Sequence, residues 1–436
     1  MSLAHSVRLA AREIFLHALA ESSVGKAFGR HLSYERGVLR VCDDLYPLNS
    51  YSRVLVISFG KAGHRMAEIL SRTVGNTVQG IVADPTPHSY QLPGYRYFAG
   101  GHPHPNAESW RAAEAMLKAL AGLDSQSLVL FMVSGGGSAA VEKPVDSDIT
   151  LEDLITTYRV LVNSGAPIAQ INAVRKHLSA VKGGRMAQAA QGAQQVSVLV
   201  SDVPETSLDS LSSGPTMPDS SKVEDCHRIV SEHHMLEDLP SSVRELFQQR
   251  LLQETPKDGD PAFARSRWWK VLSGETAERA AAAAASQHGY AVEIDSTCDD
   301  WDYAKAADHL LERLRRLRQG VARAGIISGG EVTVKVTGNA GSGGRNQHFG
   351  LYCAEKIAGE NIAVLSAGTD GIDGNSPAAG GIVDGTTMAR ARAAGMDVSE
   401  QLRTFNAFPL LEKLGDTIQT GPTSTNVRDL RILLAY

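Results

Sequence analysis

Leu128-Val129-Leu130-Phe131-Met132-Val133 runs without a charged side chain into Ser134-Gly135-Gly136-Gly137-Ser138-Ala139. A short apolar run that ends in serine and glycine reads as a strand buried on both faces, feeding a loop at its carboxyl end. The same grammar recurs at 54–59 into Gly60-Lys61-Ala62-Gly63, at 196–200 into Ser201-Asp202, at 324–327 into Ser328-Gly329-Gly330-Glu331, and at 362–367 into Gly368-Thr369-Asp370-Gly371. Helical patterns cover 63–73, 107–123, 151–162, 168–181, 276–288, 303–318 and 347–358, and further strands are expected at 80–83, 271–272, 332–336 and 431–435. Strands alternating with helices predict an α/β fold built on a parallel sheet. Open α/β folds bind ligands beyond the carboxyl ends of their strands, so this set of loops predicts a built site.

A chain of 436 residues exceeds what one hydrophobic core usually supports, and two domains are expected. The polar stretch ETPKDGDP at 254–261 is the best linker and divides the chain into 1–255 and 262–436. A net charge of −5 argues against general affinity for nucleic acid or anionic membrane. Cys42, Cys226, Cys298 and Cys353 lack C-x-x-C spacing, which suits a reducing cytoplasm rather than a disulfide framework or a zinc site. Arg8, Arg12 and Glu13 interrupt the apolar positions of residues 1–20, so that segment reads as an amphipathic helix and not a signal peptide. No stretch approaches a membrane span.

The loop chemistry is that of phosphate and metal. Lys61, between glycines and ahead of a helix, can neutralise charge on a transferring phosphoryl group, although the spacing is not that of a Walker A loop. Ser134, Gly135, Gly136, Gly137 and Ser138 offer consecutive unhindered N–H groups, a nest for phosphate or carboxylate. Asp202, at a strand's carboxyl end, is placed to hold Mg²⁺ or a substrate hydroxyl, or to cap a turn. In 171–184, read as an amphipathic helix ending in glycine, Arg175, Ser179 and Lys182 share one helical face and Lys176 an adjacent one; a cationic helix on an acidic protein suggests an anionic ligand, the bland alternative being charge complementing a helix terminus. Gly343 and Gly344 precede Arg345, whose guanidinium can grip phosphate or serve a structural ion pair. Thr369, Asp370 and Gly371 open a turn that also carries Asp373, and one or two carboxylates suit Mg²⁺. Thr423, Ser424 and Thr425 either meet a nucleotide or cap the fold, and His102 and His104 read as a rigid loop without a third metal ligand.

Taken in order, SGGGSA, INAVRKHLSAVKGGR, VLVSDVP with SSGPT, GGEVTV, GGRNQ, GTDGIDG and GPTSTNV resemble the glycerate 2-kinase family, whose C-terminal half is the MOFRL domain. The resemblance implies a Rossmann-like parallel-sheet domain and a second, mixed-sheet α/β domain, with the active site in a cleft between them. It implies ATP-dependent, Mg²⁺-assisted phosphorylation of D-glycerate on the C2 hydroxyl, giving 2-phosphoglycerate, and aligns Lys61 and Arg345 with the family's proposed catalytic pair. ATP is then expected across the glycine nests, with Lys61 and Arg345 on the γ-phosphoryl oxygens and Asp202 or Asp370 holding Mg²⁺ or orienting the hydroxyl. Lys176, with Arg175 and Lys182, is expected to bind a carboxylate or phosphates. The chain departs from the family at Glu205-Thr206-Ser207, at His348 and at Ala140-Val141-Glu142-Lys143-Pro144. The partners implied are small molecules; a homodimer is left open. The rival readings are an NAD(P)H-dependent hydroxypyruvate reductase, a kinase for a related sugar acid, and a non-catalytic sensor. Against the reductase, no G-x-G-x-x-G follows a strand with an acidic residue about 20 positions on.

Overall fold

All five buried strands form, as Arg53–Phe59, Ser127–Ser134, Gln194–Val200, Ala324–Gly329 and Ile362–Gly368. The structure is a computed structural model that describes residues 3–75, 78–423 and 425–436, with all their side chains except those of residues 3, 4 and 205. Ser424 therefore lies outside the described residues. Every residue of Ser127–Ser134 is buried, which is what an apolar run without alternation requires. The chain forms two compact units, one of Phe28–Val271 and one of Met1–Ala27 with Leu272–Tyr436.

In the first unit the sheet runs Tyr95–Phe98, Gln79–Ala83, Arg53–Phe59, Ser127–Ser134, Gln194–Val200, Ser266–Leu272, and the first five strands are parallel. Phe59 pairs with Val133 and Ser134 with Val200, so Gly60, Gly135 and Ser201 leave the sheet side by side. Leu32–Glu35, Val38–Val41 and Asp44–Pro47 add an antiparallel three-stranded sheet whose four-residue strands are too short to register as alternation. The helix expected over 168–181 is Ile168–Leu178. It stops because Ser179 is extended and the following turn is tied elsewhere, Gly183 N donating to Ser213 O (3.0 Å) and Gly184 N to Gly214 O (2.7 Å). Lys182 thus lies off the helix and shares no helical face with Arg175.

The second unit's sheet runs Ala291–Ile294, Ala324–Gly329, Asp429–Ala435, Ile362–Gly368, Gly380–Asp384, Thr417–Ile418; its first pair is parallel and the rest antiparallel. Gly329 pairs with Leu430 and Gly368 with Asp429, so two strand ends and the start of the central strand meet at one edge. Residues 332–336 form no strand. Beyond Gly330 (φ +84°) the chain turns away, and Thr333 keeps only an isolated bridge to Asp302.

The division of the chain differs from the expected one at both ends. The stretch 254–261 is fastened to the first unit: Thr255 Oγ1 donates to Asp219 Oδ2 (2.8 Å) and Asp219 N to Pro256 O (3.0 Å). The N-terminal helix Leu3–Glu21 packs in the other unit, with Val7, Ala11, Ile14, Phe15 and Ala18 buried in one core with Leu365 and Ile432. An amphipathic helix needs an apolar sheet face, and chain order does not say whose. All four cysteines are free thiols, and among the described residues no helix is long and apolar enough to cross a membrane.

Asp295 anchors Tyr303–Arg318 to the second sheet, accepting from Thr297 Oγ1 (2.6 Å) and Arg313 Nη1 (2.7 Å) and facing His309 Nε2 at 2.8 Å. Burial pushes this carboxyl up, but the Thr297, His309 and Arg313 contacts outweigh it and hold it at about 2, below the ordinary 3.8. A depressed carboxyl contributes stability above its unfolded value and loses it as pH falls through the folded one. Asp295→Asn should therefore be about 2 kcal/mol less stable than the parent at neutral pH. The gap should narrow as pH falls through 4 toward 2, which urea unfolding at pH 7 and pH 3 measures.

Candidate active site

In the first unit the strand-end loops interlock. Lys61 N donates to Gly135 O (2.8 Å), and Ala62 N to Ser134 Oγ (3.0 Å). Gly60 (φ +101°) lies against the next loop so closely that a Cβ there would stand 2.3 Å from Ser134 O. The glycines of 135–137 are likewise filled from outside. A Cβ on Gly135 would be 1.7 Å from Asp202 Oδ2; one on Gly136 would be 3.0 Å from Lys61 Cγ and 3.6 Å from His102 Nδ1; one on Gly137 would be 2.3 Å from Ser212 Oγ. The run expected to be an open nest is therefore also the floor on which Asp202, Lys61 and His102 rest. Ser212 Oγ donates to Ser134 O (2.7 Å), and the Ser138 and Ser213 hydroxyls are 2.8 Å apart. Ser212 and Ser213 hold left-handed backbone (φ 50° and 62°), a strained conformation for residues other than glycine that surrounding contacts must enforce.

The structure thus brings Lys61, Ser134–Ser138 and Asp202 together. Lys61 is exposed, and its ammonium pairs with no described residue. His102, read from sequence as loop structure, stands beside it: partial desolvation and then the Lys61 charge hold this imidazole below its ordinary range. Its only sequence signal was proximity to glycines and prolines.

Lys176 goes elsewhere. It is buried, with Nζ 3.1 Å from Asp219 Oδ1 and 3.2 Å from Asp209 Oδ2, so both of its close partners are the protein's own carboxylates. Arg175 stacks on the Tyr158 ring at 4.2 Å. Lys182 is buried against Glu142, which also accepts from Ser179 Oγ (2.6 Å) and Tyr158 OH. Burial pushes the Lys182 ammonium down to about 8, opposed by Glu142. The cationic patch expected on one helix is a set of internal ion pairs, because residues 142, 209 and 219 supply carboxylates that helical spacing cannot reveal.

In the second unit Gly343, Gly344, Arg345 and Asp370 line a cavity of about 670 Å³ together with Glu331, His348, Asp373 and Phe405. Arg345 opens the helix Arg345–Lys356, two residues earlier than expected. Its Nε donates to Asp429 Oδ2 (2.6 Å), its Nη2 to Asp429 Oδ1 (3.2 Å), and Nη2 lies 2.7 Å from Glu331 Oε1. Burial opposes its charge, but the Asp429 and Glu331 partners outweigh that and hold the guanidinium above its ordinary value. Burial and then the Asp429 charge push the Glu331 carboxyl up.

Two amides at this helix N-terminus are already taken. Asp373 accepts from Asn346 N (3.1 Å) and Gln347 N (2.9 Å), and burial raises it to about 6 despite those bonds. A Cβ on Gly344 would be 2.3 Å from Asp373 Oδ1, and Gly343 N donates to Asn375 Oδ1 (2.8 Å), so these glycines admit the 373–375 loop. Thr369 is buried and tied to residues 427 and 428, and a Cβ on Gly371 would be 2.0 Å from Gly421 O; both shape the turn that presents Asp370. His348 is buried between Tyr303 and Phe405, and desolvation lowers it to about 4, so it stays neutral. Asp429 and Glu331 are the residues that sequence reasoning did not assign, and only strand register could have found Asp429.

Among the described residues no three His, Cys, Asp or Glu side chains gather to form a metal cage. Carboxylates on separate strand-end loops, such as Asp202 and Asp370, fit the way Mg²⁺ is held with nucleotide phosphates, one or two carboxylates completing a shell of phosphate oxygens and water.

Residues 10–248 match the family described as a domain of unknown function, DUF4147, and residues 324–429 match the MOFRL family. The D-glycerate 2-kinase of Thermotoga maritima is 34% identical over 90% of this chain and 93% of its own. A protein of Agrobacterium vitis provisionally named a hydroxypyruvate reductase is 33% identical over 89% of this chain and 88% of its own. The crystal structure of a Thermotoga maritima glycerate kinase superposes with a TM-score of 0.86 at 32% identity, covering 99% of this chain and 100% of that one. With its DUF4147 match extending over more than half its length and its MOFRL region following, the chain belongs to the glycerate kinase family.

Proposed function

We propose that this protein is an ATP-dependent kinase that transfers the γ-phosphoryl group to the C2 hydroxyl of D-glycerate. The observation that carries the reading is near-full-length similarity to a D-glycerate 2-kinase, together with Lys61 on a strand-end loop, an ammonium that pairs with no described residue. Phosphoryl transfer asks for positioning and charge stabilisation more than covalent chemistry. In this scheme Lys61 in the first unit and Arg345 in the second each offer positive charge to phosphoryl oxygens, and Asp202 and Asp370 are the carboxylates that serve the acceptor hydroxyl and magnesium. When bound, Mg²⁺ neutralises phosphate charge; Asp202 or Asp370 would hold it. The loop at Ser134–Ser138 borders the nucleotide, while Lys176 holds its neighbouring carboxylates in place.

The test is a supply of D-glycerate, ATP and Mg²⁺ with enolase as the coupling enzyme. Enolase consumes 2-phosphoglycerate directly, so phosphoenolpyruvate without added mutase reports phosphorylation at C2. Product that needs a mutase would move the reaction to C3. NADH oxidation with hydroxypyruvate, in the absence of phosphoryl transfer, would replace the kinase reading with the reductase one. Lys61→Ala should lower kcat by about 10³-fold or more with the fold intact, measured by steady-state kinetics beside circular dichroism. Lys176→Met strands the buried Asp219 carboxylate and should cost about 3 kcal/mol of stability while leaving the KM for ATP unchanged, which denaturation and kinetics on one preparation separate.

A further inference from the structure

Three of the five N–H donors of Arg345 are committed to carboxylates, and they are committed on one side. A guanidinium carries one donor on Nε and two on each terminal nitrogen, in a rigid plane. Nε and Nη2 engage the two oxygens of Asp429, and Nη2 also meets Glu331 Oε1. Nη1 meets no described residue, and the side chain, 37% exposed, borders the 670 Å³ cavity. We propose that Asp429 is a positioning residue for phosphoryl transfer, which fixes the plane of Arg345 so that Nη1 is the edge offered to the substrate's phosphate oxygens. The proposal rests on Arg345 serving the transferred group.

The grip is itself held. Asp429 opens the central strand and pairs with Gly368 in the sheet. The preceding Arg428 is left-handed (φ 73°), and its carbonyl accepts from Thr369 N (3.0 Å) and Thr369 Oγ1 (2.7 Å). Both Arg428 terminal nitrogens bond Asp299, and Asp299 Oδ1 accepts from Glu331 N (3.0 Å). The two carboxylates that clasp Arg345 are therefore joined through Asp299 and Arg428 and do not move independently. Arg431, fully buried, donates to Gly329 O and steadies the turn that carries Glu331. A lysine could not reproduce this, since an ammonium has no plane to orient.

Asp429→Asn keeps the side-chain shape while removing a charge and an acceptor. It should lower kcat for D-glycerate phosphorylation on the order of 10²-fold, with both KM values within about threefold, and Asp429→Glu should recover part of the loss. Placed on Arg345→Ala, the same Asn substitution should cost less than about twofold more, because residues acting as a unit are not additive. A folded Asp429→Asn enzyme with parental kcat, or an equal further loss on the Arg345→Ala background, overturns the proposal. If Asp429→Asn does not yield folded protein, Glu331→Gln takes its place: a kcat loss confined to the Arg345-containing enzyme supports positioning, and unchanged kcat overturns it. Full turnover by Arg345→Ala alone would instead remove the catalytic reading of Arg345, and the positioning role with it.

Discussion

The site in the first unit depends on side chains that are missing. Parallel pairing delivers three strand ends side by side, and the loops leaving them have room for one another only where there is no Cβ. Gly60 admits the Ser134 carbonyl, Gly135 the Asp202 carboxylate, Gly136 the Lys61 stem, and Gly137 the Ser212 hydroxyl. Each glycine loses more conformational entropy on folding than any other residue would. What offsets it is a fixed arrangement in which the Lys61 stem and the Asp202 carboxylate, from two different loops, rest against adjacent glycines of a third, with hydrogen bonds from Lys61 N and Ala62 N locking the loops together.

The second unit reaches the same end by charge. Its central strand runs against both neighbours, which brings Gly329, Gly368 and Asp429 to one edge and sets Asp429, Glu331 and Asp373 around one arginine. Desolvated carboxylates repel one another, and the upward shifts of Glu331 and Asp373 register that repulsion together with burial. Arg345, Arg428 and the amides of Asn346 and Gln347 compensate it. An arginine held between fixed anions has one orientation, and orientation is what a guanidinium adds beyond its charge.

Motifs proved more legible than the partners they choose. Lys61 and Asp202 fall where a strand-then-glycine reading puts them, but Lys176 and Lys182 were read as a ligand-facing patch and are buried in ion pairs. Nothing local to 168–182 says that Asp219 and Glu142 will arrive from 37 residues beyond and 26 before that segment's ends, as counted along the sequence. Gly343 and Gly344, part of the glycine-rich stretches on which ATP is expected, admit Asp373 and Asn375. The run 332–336 has a strand's alternation, yet a left-handed Gly330 sends it away from the sheet.

Sequence alone determined the α/β class, the main strands with their loops, and the residues able to meet a phosphoryl group, because burial on both faces and glycine at a strand end leave local marks. Tertiary structure decided which unit receives the N-terminal helix, that Lys176 is buried against carboxylates while Lys61 is exposed, and which edge of Arg345 remains open. Those outcomes depend on strand register and on ion pairs between residues far apart in the chain, and a linear pattern carries neither.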